Sequence, residues 1–162
     1  MTARIFDSCF DLLMLNEGGY VNDAHDSGGE TRWGISKKAY PEIDIKNLTK
    51  EQAKEIYRKD YWNRCKCDYL PDCLCMAVFD YAVNSGTIRA AKDFQLALGV
   101  SVDGVIGNQT IGAANRIPPK FVIEEISRRR LNFMMSLKGW KYYGNGWGTR
   151  VKRVQKFCED LL

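Results

Sequence analysis

The stretch Asn16-Glu17-Gly18-Gly19-Tyr20-Val21-Asn22-Asp23, continued by Asp26-Ser27-Gly28-Gly29-Glu30-Thr31-Arg32-Trp33-Gly34-Ile35-Ser36, decides how this chain reads. Before it, Phe6, Cys9, Phe10, Leu13 and Glu17 recur at helical spacing and share one face. A glutamate that continues an apolar stripe faces inward or into a cleft. Apolar surroundings disfavour its charged form, and the negative end of the helix dipole does the same. Gly18-Gly19 supplies the left-handed residue that commonly ends a helix. A carboxyl kept partly neutral at a helix end is what a general acid needs near neutral pH. The plainer alternative is a helix-end glutamate in solvent. The acidic, glycine-rich segment that follows favours the cleft.

That segment reads as a small hairpin or irregular sheet. Tyr20 and Val21 begin it, and residues 23–29 form a turn-rich connection. Thr31, Trp33 and Ile35 alternate with Arg32, Gly34 and Ser36, which is strand period. A helix end facing a hairpin makes one wall of a cleft into which Glu17, Asp26 and Thr31 could point. One carboxylic acid that donates a proton, with a second carboxylate across from it, is the minimal apparatus for cutting a glycosidic bond. Thr31 could hold a water. Glu30 and Asp23 compete with Asp26 for the second acidic role, and Asp23 reads more simply as turn capping. His25, the one histidine, reads as turn chemistry and excludes a His-based metal site.

Glu17-Gly18-Gly19-Tyr20-Val21-Asn22-Asp23, followed by Asp26-Ser27-Gly28-Gly29-Glu30-Thr31-Arg32-Trp33-Gly34-Ile35-Ser36, resembles the signature of the glycoside hydrolase family 108 muramidases, lysozyme-like phage endolysins and secretion-associated enzymes. The resemblance implies a mainly α, lysozyme-like fold with a small β-hairpin beside the cleft. It implies an N-acetylmuramidase that cleaves the β-1,4 bond between N-acetylmuramic acid and N-acetylglucosamine, with Glu17 as general acid. The Glu, Asp, Thr order also resembles phage lysozymes, which implies Asp26 and Thr31 as partners; the gap from Asp26 to Thr31 departs from that pattern. Tyr20, Glu30, Trp33, Asp80 and Asn84 are the candidate substrate-binding residues. Phe79-Asp80-Tyr81-Ala82-Val83-Asn84-Ser85-Gly86 extends the resemblance, and Asp80 and Asn84, four apart, share a helix face away from the core stripe. They are expected to bind sugar or to brace the hairpin.

Composition sets the bounds. A chain of 162 residues suits one compact domain or two closely packed lobes. A net charge of +4 suits an anionic partner such as cell wall. A nucleic-acid partner would call for a denser basic stripe; the one tight run, Arg128-Arg129-Arg130, reads as a solvated helix turn. No run approaches the ~20 apolar residues of a membrane span, and no signal-peptide pattern opens the sequence. The expectation is a monomer made in the cytoplasm that reaches the wall by holin- or secretion-dependent release. No cofactor is expected. P-loop, dinucleotide, Gly-x-Ser-x-Gly and HExxH patterns do not occur.

Six cysteines remain: Cys9, Cys65, Cys67, Cys73, Cys75 and Cys158. Buried free thiols are expected, ahead of a disulfide and ahead of zinc, because Cys-x-Cys spacing is a weak match to structural zinc sites. Two rival functions follow: a wall-binding protein without activity, and a zinc-binding structural protein built on Cys65 to Cys75. A chitin-like substrate is a third variant.

After the cleft the chain reads as helices. Ser36 should cap a short helix before Pro41. Thr49-Lys50-Glu51-Gln52 is a capping box, opening a helix that reaches toward Tyr61. Leu70-Pro71-Asp72 restarts the chain into a helix with Cys75, Val78, Phe79, Ala82 and Val83 inward. Gly86 ends it and Thr87 should cap the next, with Ile88, Ala91, Phe94, Gln95 and Leu98 on its stripe. Phe94-Gln95 with Leu98-Gly99-Val100 and Asp103-Gly104-Val105-Ile106-Gly107 resembles the repeat element of small helical peptidoglycan-binding domains. Residues 1–90 are therefore expected to be catalytic, with 91–162 a peptidoglycan-binding-like region packed onto them in one body. A long helix is expected over 120–138, then a glycine and aromatic loop over 139–148, then a final helix.

Overall fold

The computed structural model describes residues 2–15, 20–22 and 29–162. Glu17, Asp23, His25, Asp26 and the Gly18-Gly19 terminator lie outside the described residues. The fold is mainly α. Helix α1 (Thr2–Met14) precedes a small sheet of β1 (Val21–Asn22), β2 (Glu30–Arg32) and β3 (Ile35–Ser36). Then come α2 (Lys50–Tyr57), α3 (Asp72–Ser85), α4 (Thr87–Leu98), α5 (Asn108–Ala114), α6 (Pro119–Met135) and α7 (Trp140–Glu159).

The α1 stripe behaves as its spacing requires: Phe6, Cys9, Phe10 and Leu13 are all buried. The capping box also forms. Gln52 N donates to Thr49 Oγ1 at 3.1 Å, and Thr49 N donates to the Gln52 side chain at 2.9 Å. Helix α2 then widens into a π turn over Arg58–Trp62, with Asn63 N donating to Arg58 O at 2.8 Å. The extra residue brings Trp62 round to the buried side already occupied by Tyr57. There its indole packs edge-on against Phe6 and Phe79, with ring centroids 4.9 and 5.3 Å away. Each such ring contributes roughly 1.5–3 kcal/mol by leaving water.

Helix α3 is the axis of the molecule. Every residue from Cys73 to Ala82 is buried, so the helix is interior all round, wider than the single stripe its spacing predicts, and Asp80 is the one charged residue in that run. It packs against α1, α4, α6 and α7. The six cysteines are all buried and free. Cys75 Sγ donates to Cys67 O at 3.2 Å, and burial pushes the Cys65 and Cys158 thiols up to about 12.

Several local expectations are corrected. The alternation over residues 31–36 is not one strand: Trp33 and Gly34 both take positive φ, 55° and 76°, and turn the chain between β2 and β3. Ser36 caps a single turn, accepting from Ala39 N at 3.2 Å, rather than a helix. Helix α4 begins at Thr87 with Gly86 at its N-cap and no side-chain cap, and Ile88 points outward. Gly99 does stop α4, with φ 71°. Residues 140–148 are the first half of α7, not a loop. Gln95 is buried, as its place on the stripe predicts, and works as an internal clasp. Its amide nitrogen donates to Asp103 Oδ1 at 2.8 Å and Val105 O at 2.9 Å, and its oxygen accepts from Asp103 N and Gly104 N.

Candidate active site

The described part of the site is the three-stranded antiparallel sheet and what braces it. Thr31 sits on the central strand, paired with Val21 on one side and Ser36 on the other. Cross-strand partners share a face, so Val21, Thr31 and Ser36 project to one side. Glu30 and Arg32 project to the opposite side. Tyr20 is held by both of them: its hydroxyl donates to Glu30 Oε2 at 2.8 Å, and the Arg32 guanidinium lies 5.3 Å from its ring centroid. The hydrogen bond to Glu30, with burial and the carboxylate charge after it, raises the tyrosine pKa.

Trp33 fixes the sheet to the helical body. Its indole Nε1 donates to Leu48 O at 3.1 Å, and its own carbonyl accepts from the buried Tyr57 hydroxyl at 2.7 Å. Its polar end is thus engaged within the protein. A non-glycine residue at positive φ is held there only when its surroundings over-determine it, and these two hydrogen bonds do so.

Asp80 requires a correction. It is 0% exposed, so it cannot lie against a sugar, and its partners are on α6 and α7 rather than in the hairpin. Arg150 Nε and Nη2 donate to its two oxygens at 3.0 and 3.1 Å. Arg130 Nη1 forms an ion pair with Oδ2 at 2.8 Å. Burial alone would raise the Asp80 pKa; the two guanidiniums outweigh it and hold the carboxyl below its usual range. Arg130 is 2% exposed, which also corrects the reading of Arg128-Arg129-Arg130 as a wholly solvated turn. Arg128 and Arg129 do reach outward, to Glu125. Asn84 stands exposed in the last turn of α3, accepting from Ser85 Oγ at 3.2 Å.

Beyond Asn84, Gly86 and Thr87 line a hollow of about 360 Å³ together with Ala39, Tyr40, Asp60, Tyr61 and Arg64. Tyr40 donates to Asp60 Oδ2 at 2.6 Å across it. Hydroxyl and guanidinium donors around a carboxylate acceptor suit a polyhydroxylated ligand. None of Tyr40, Asp60, Tyr61 and Arg64 stood out in the sequence. The one usable signal was the closeness of Asp60 and Tyr61 to the end of the capped helix. The π turn that presents them leaves no pattern.

The comparisons with known proteins agree with this architecture. The family model described as Glycosyl hydrolase 108 matches residues 10–86, from the middle of α1 to the end of α3. Among solved structures, the chain is similar to the one titled "Structure of Brucella abortus SagA". The identity is 35%, the match covers 96% of this chain and 94% of that one, and the TM-score is 0.86. No curated protein matches. A family signature over the helix, sheet and hollow, together with a relative this similar over nearly its whole length, establishes that the chain belongs to the glycosyl hydrolase 108 family and is a lysozyme-like glycoside hydrolase acting on peptidoglycan.

Proposed function

We propose that the chain is an N-acetylmuramidase that hydrolyses the β-1,4 bond between N-acetylmuramic acid and N-acetylglucosamine. Glu17 is the general acid that protonates the leaving oxygen. Asp26 stabilises the oxocarbenium-like charge, or serves as base or nucleophile, and Thr31 positions water or substrate. Tyr20, Glu30, Trp33 and Asn84 border the bound glycan. Residues 91–162 add wall contact to the catalytic region 1–90.

The observation that carries this reading is the buried stripe of α1. Phe6, Cys9, Phe10 and Leu13 are all interior, and in the sequence Glu17 follows Leu13 at the same four-residue step. The anchored sheet, with Thr31 on its central strand, supplies a rigid second wall. A site held on packed elements keeps a reacting bond in line better than one on free loops.

The test is Glu17→Gln, which keeps shape and removes the proton. Lysis of purified walls, followed by turbidity, should fall by at least about a hundredfold, with the thermal midpoint and wall binding unchanged. Mass spectrometry of wild-type products should show new reducing-end N-acetylmuramic acid. A Glu17→Gln protein that still clears walls at the wild-type rate removes Glu17 from the mechanism. A new reducing-end N-acetylglucosamine overturns the bond assignment.

A further inference from the structure

The first half of α7 carries an arrangement the hydrolytic site does not use. Trp140, Tyr142, Tyr143 and Trp147 fall within eight residues of one helix that also contains Gly144, Gly146 and Gly148. Glycine costs a helix interior about 1 kcal/mol relative to alanine. Gly144, and Gly139 just before the helix, have a packing reason for it. A Cβ on Gly144 would stand 2.8 Å from the Trp140 ring, and one on Gly139, just ahead of the helix, 2.9 Å from Trp147. Their absence lets both indoles come close to the backbone. Tyr143 then stacks on Trp147 with centroids 5.8 Å apart and planes at 29°. Trp140 and Trp147 are 6.3 Å apart.

The result is an aromatic shelf open to solvent. Tyr142 is 73% and Tyr143 63% exposed. Trp140 and Trp147 behind them are half-buried. Rings held in a defined geometry at the surface mark a binding surface rather than a core. Beside them Trp140, Lys141, Tyr142, Gly144 and Asn145 line a groove of about 220 Å³. That is smaller than the ~300–1,000 Å³ of a drug-sized ligand's pocket and suits a single sugar ring. Lys141 lies 5.0 Å from the Tyr142 ring centroid, and the Asn145 side chain has no hydrogen-bond partner among the described residues. Lys141, Asn145 and Lys152 share a helix face. Charge decides what kind of glycan fits: no Asp or Glu occurs between Glu125 and Glu159, while Lys138, Lys141, Lys152 and Lys156 do.

We propose that this shelf is a glycan-binding subsite for anionic peptidoglycan strands, separate from the hydrolytic groups. Sugar rings stack on Trp140 and Tyr143, Asn145 meets an acetamido or hydroxyl group, and the lysines meet stem-peptide carboxylates. The proposal rests on the peptidoglycan reading of the enzyme. It adds a place where the strand is held without being cut.

Cosedimentation with purified sacculi on ice, before appreciable turnover, tests it. Trp140→Ala and the double variant Tyr142→Ala with Tyr143→Ala should each raise the apparent Kd roughly tenfold, while the rate on a short soluble glycan stays at the wild-type value. Gly144→Ala should weaken binding similarly by displacing the Trp140 ring. Gly146→Ala, where a Cβ meets nothing within 4 Å, should bind as wild type. Circular dichroism of each variant separates loss of the shelf from loss of the helix, and the exposed tyrosine pair tests the shelf even if the tryptophan variant unfolds. Titration of wild type with an N-acetylglucosamine tetramer should perturb tryptophan emission, and Trp140→Ala should reduce that change. Wild-type affinity for sacculi in the tyrosine pair and Trp140→Ala overturns the proposal and leaves the hydrolytic assignment standing. So does a loss confined to anionic phospholipid vesicles, which would make the shelf a membrane contact. Shelf-dependent binding by a protein that releases no new reducing end would instead sink the hydrolytic assignment and keep the subsite.

Discussion

Replacing Asp80 by asparagine keeps the shape of the side chain and deletes the charge at the centre of α3. The interior then holds Arg130, 2% exposed, whose ion-pair partner among the described residues is Asp80 at 2.8 Å. Removing one member of a buried pair costs about 3–5 kcal/mol, because the remaining charge is left in a poor solvent. Whole-domain stability is only ~5–15 kcal/mol, so the loss should be plain. In urea unfolding followed by circular dichroism, the midpoint should fall by roughly 1–3 M at neutral pH with an unchanged slope. The pH dependence has a definite sign. The folded-state pKa of Asp80 is depressed by Arg130 and Arg150 despite burial. Its contribution is therefore present in full above the ordinary carboxylate pKa and is lost as pH falls through the lower, folded value. Wild type and Asp80→Asn should differ most near pH 7 and converge in acid. Adding Arg130→Met should restore much of the loss, since it removes the stranded cation. A neutral-pH loss under about 1 kcal/mol, or a gap that persists unchanged into acid, would refute the ion-pair argument.

Other consequences can be checked alongside. Tyr57→Phe deletes the hydroxyl that holds Trp33 O at 2.7 Å and should cost about 1–3 kcal/mol in the same unfolding assay, since the partner carbonyl loses its donor. Because that bond anchors the hairpin, hydrolysis should slow as well. Thr31→Ala should lower kcat on soluble glycan with little change in KM if Thr31 holds the attacking water; an unaltered kcat removes it from that role. The cysteines, with Cys65 and Cys158 pushed up to about 12 by burial, should resist a thiol reagent at pH 8 in the native state and react in denaturant. Rapid native-state labelling at these positions contradicts their burial.

Much of the fold was legible in the sequence because its signals are local. The α1 stripe, the Thr49 capping box, the restart at Pro71 and the stop at Gly99 each depend on residues within a turn or two. The Glu-Gly-Gly-Tyr signature likewise sits in one continuous stretch. What the tertiary structure alone decided has the opposite character. Asp80 meets Arg150 across seventy positions and Arg130 on another helix; helical spacing says that Asp80 leaves the core stripe, but not what covers its other side. Tyr40 reaches Asp60 only because a π turn rotates the end of α2. The alternation from Thr31 to Ser36 fits one strand or two, and the two hydrogen bonds on Trp33 select the turn. Glycines and aromatics over 140–148 read as a loop because intrinsic propensity is weak evidence. The helix they open is anchored further on, where Val151, Val154 and Cys158 are buried and α7 packs on α3 and α6. Patterns with short periods are written into the chain; partners brought together by packing exist only once it has folded.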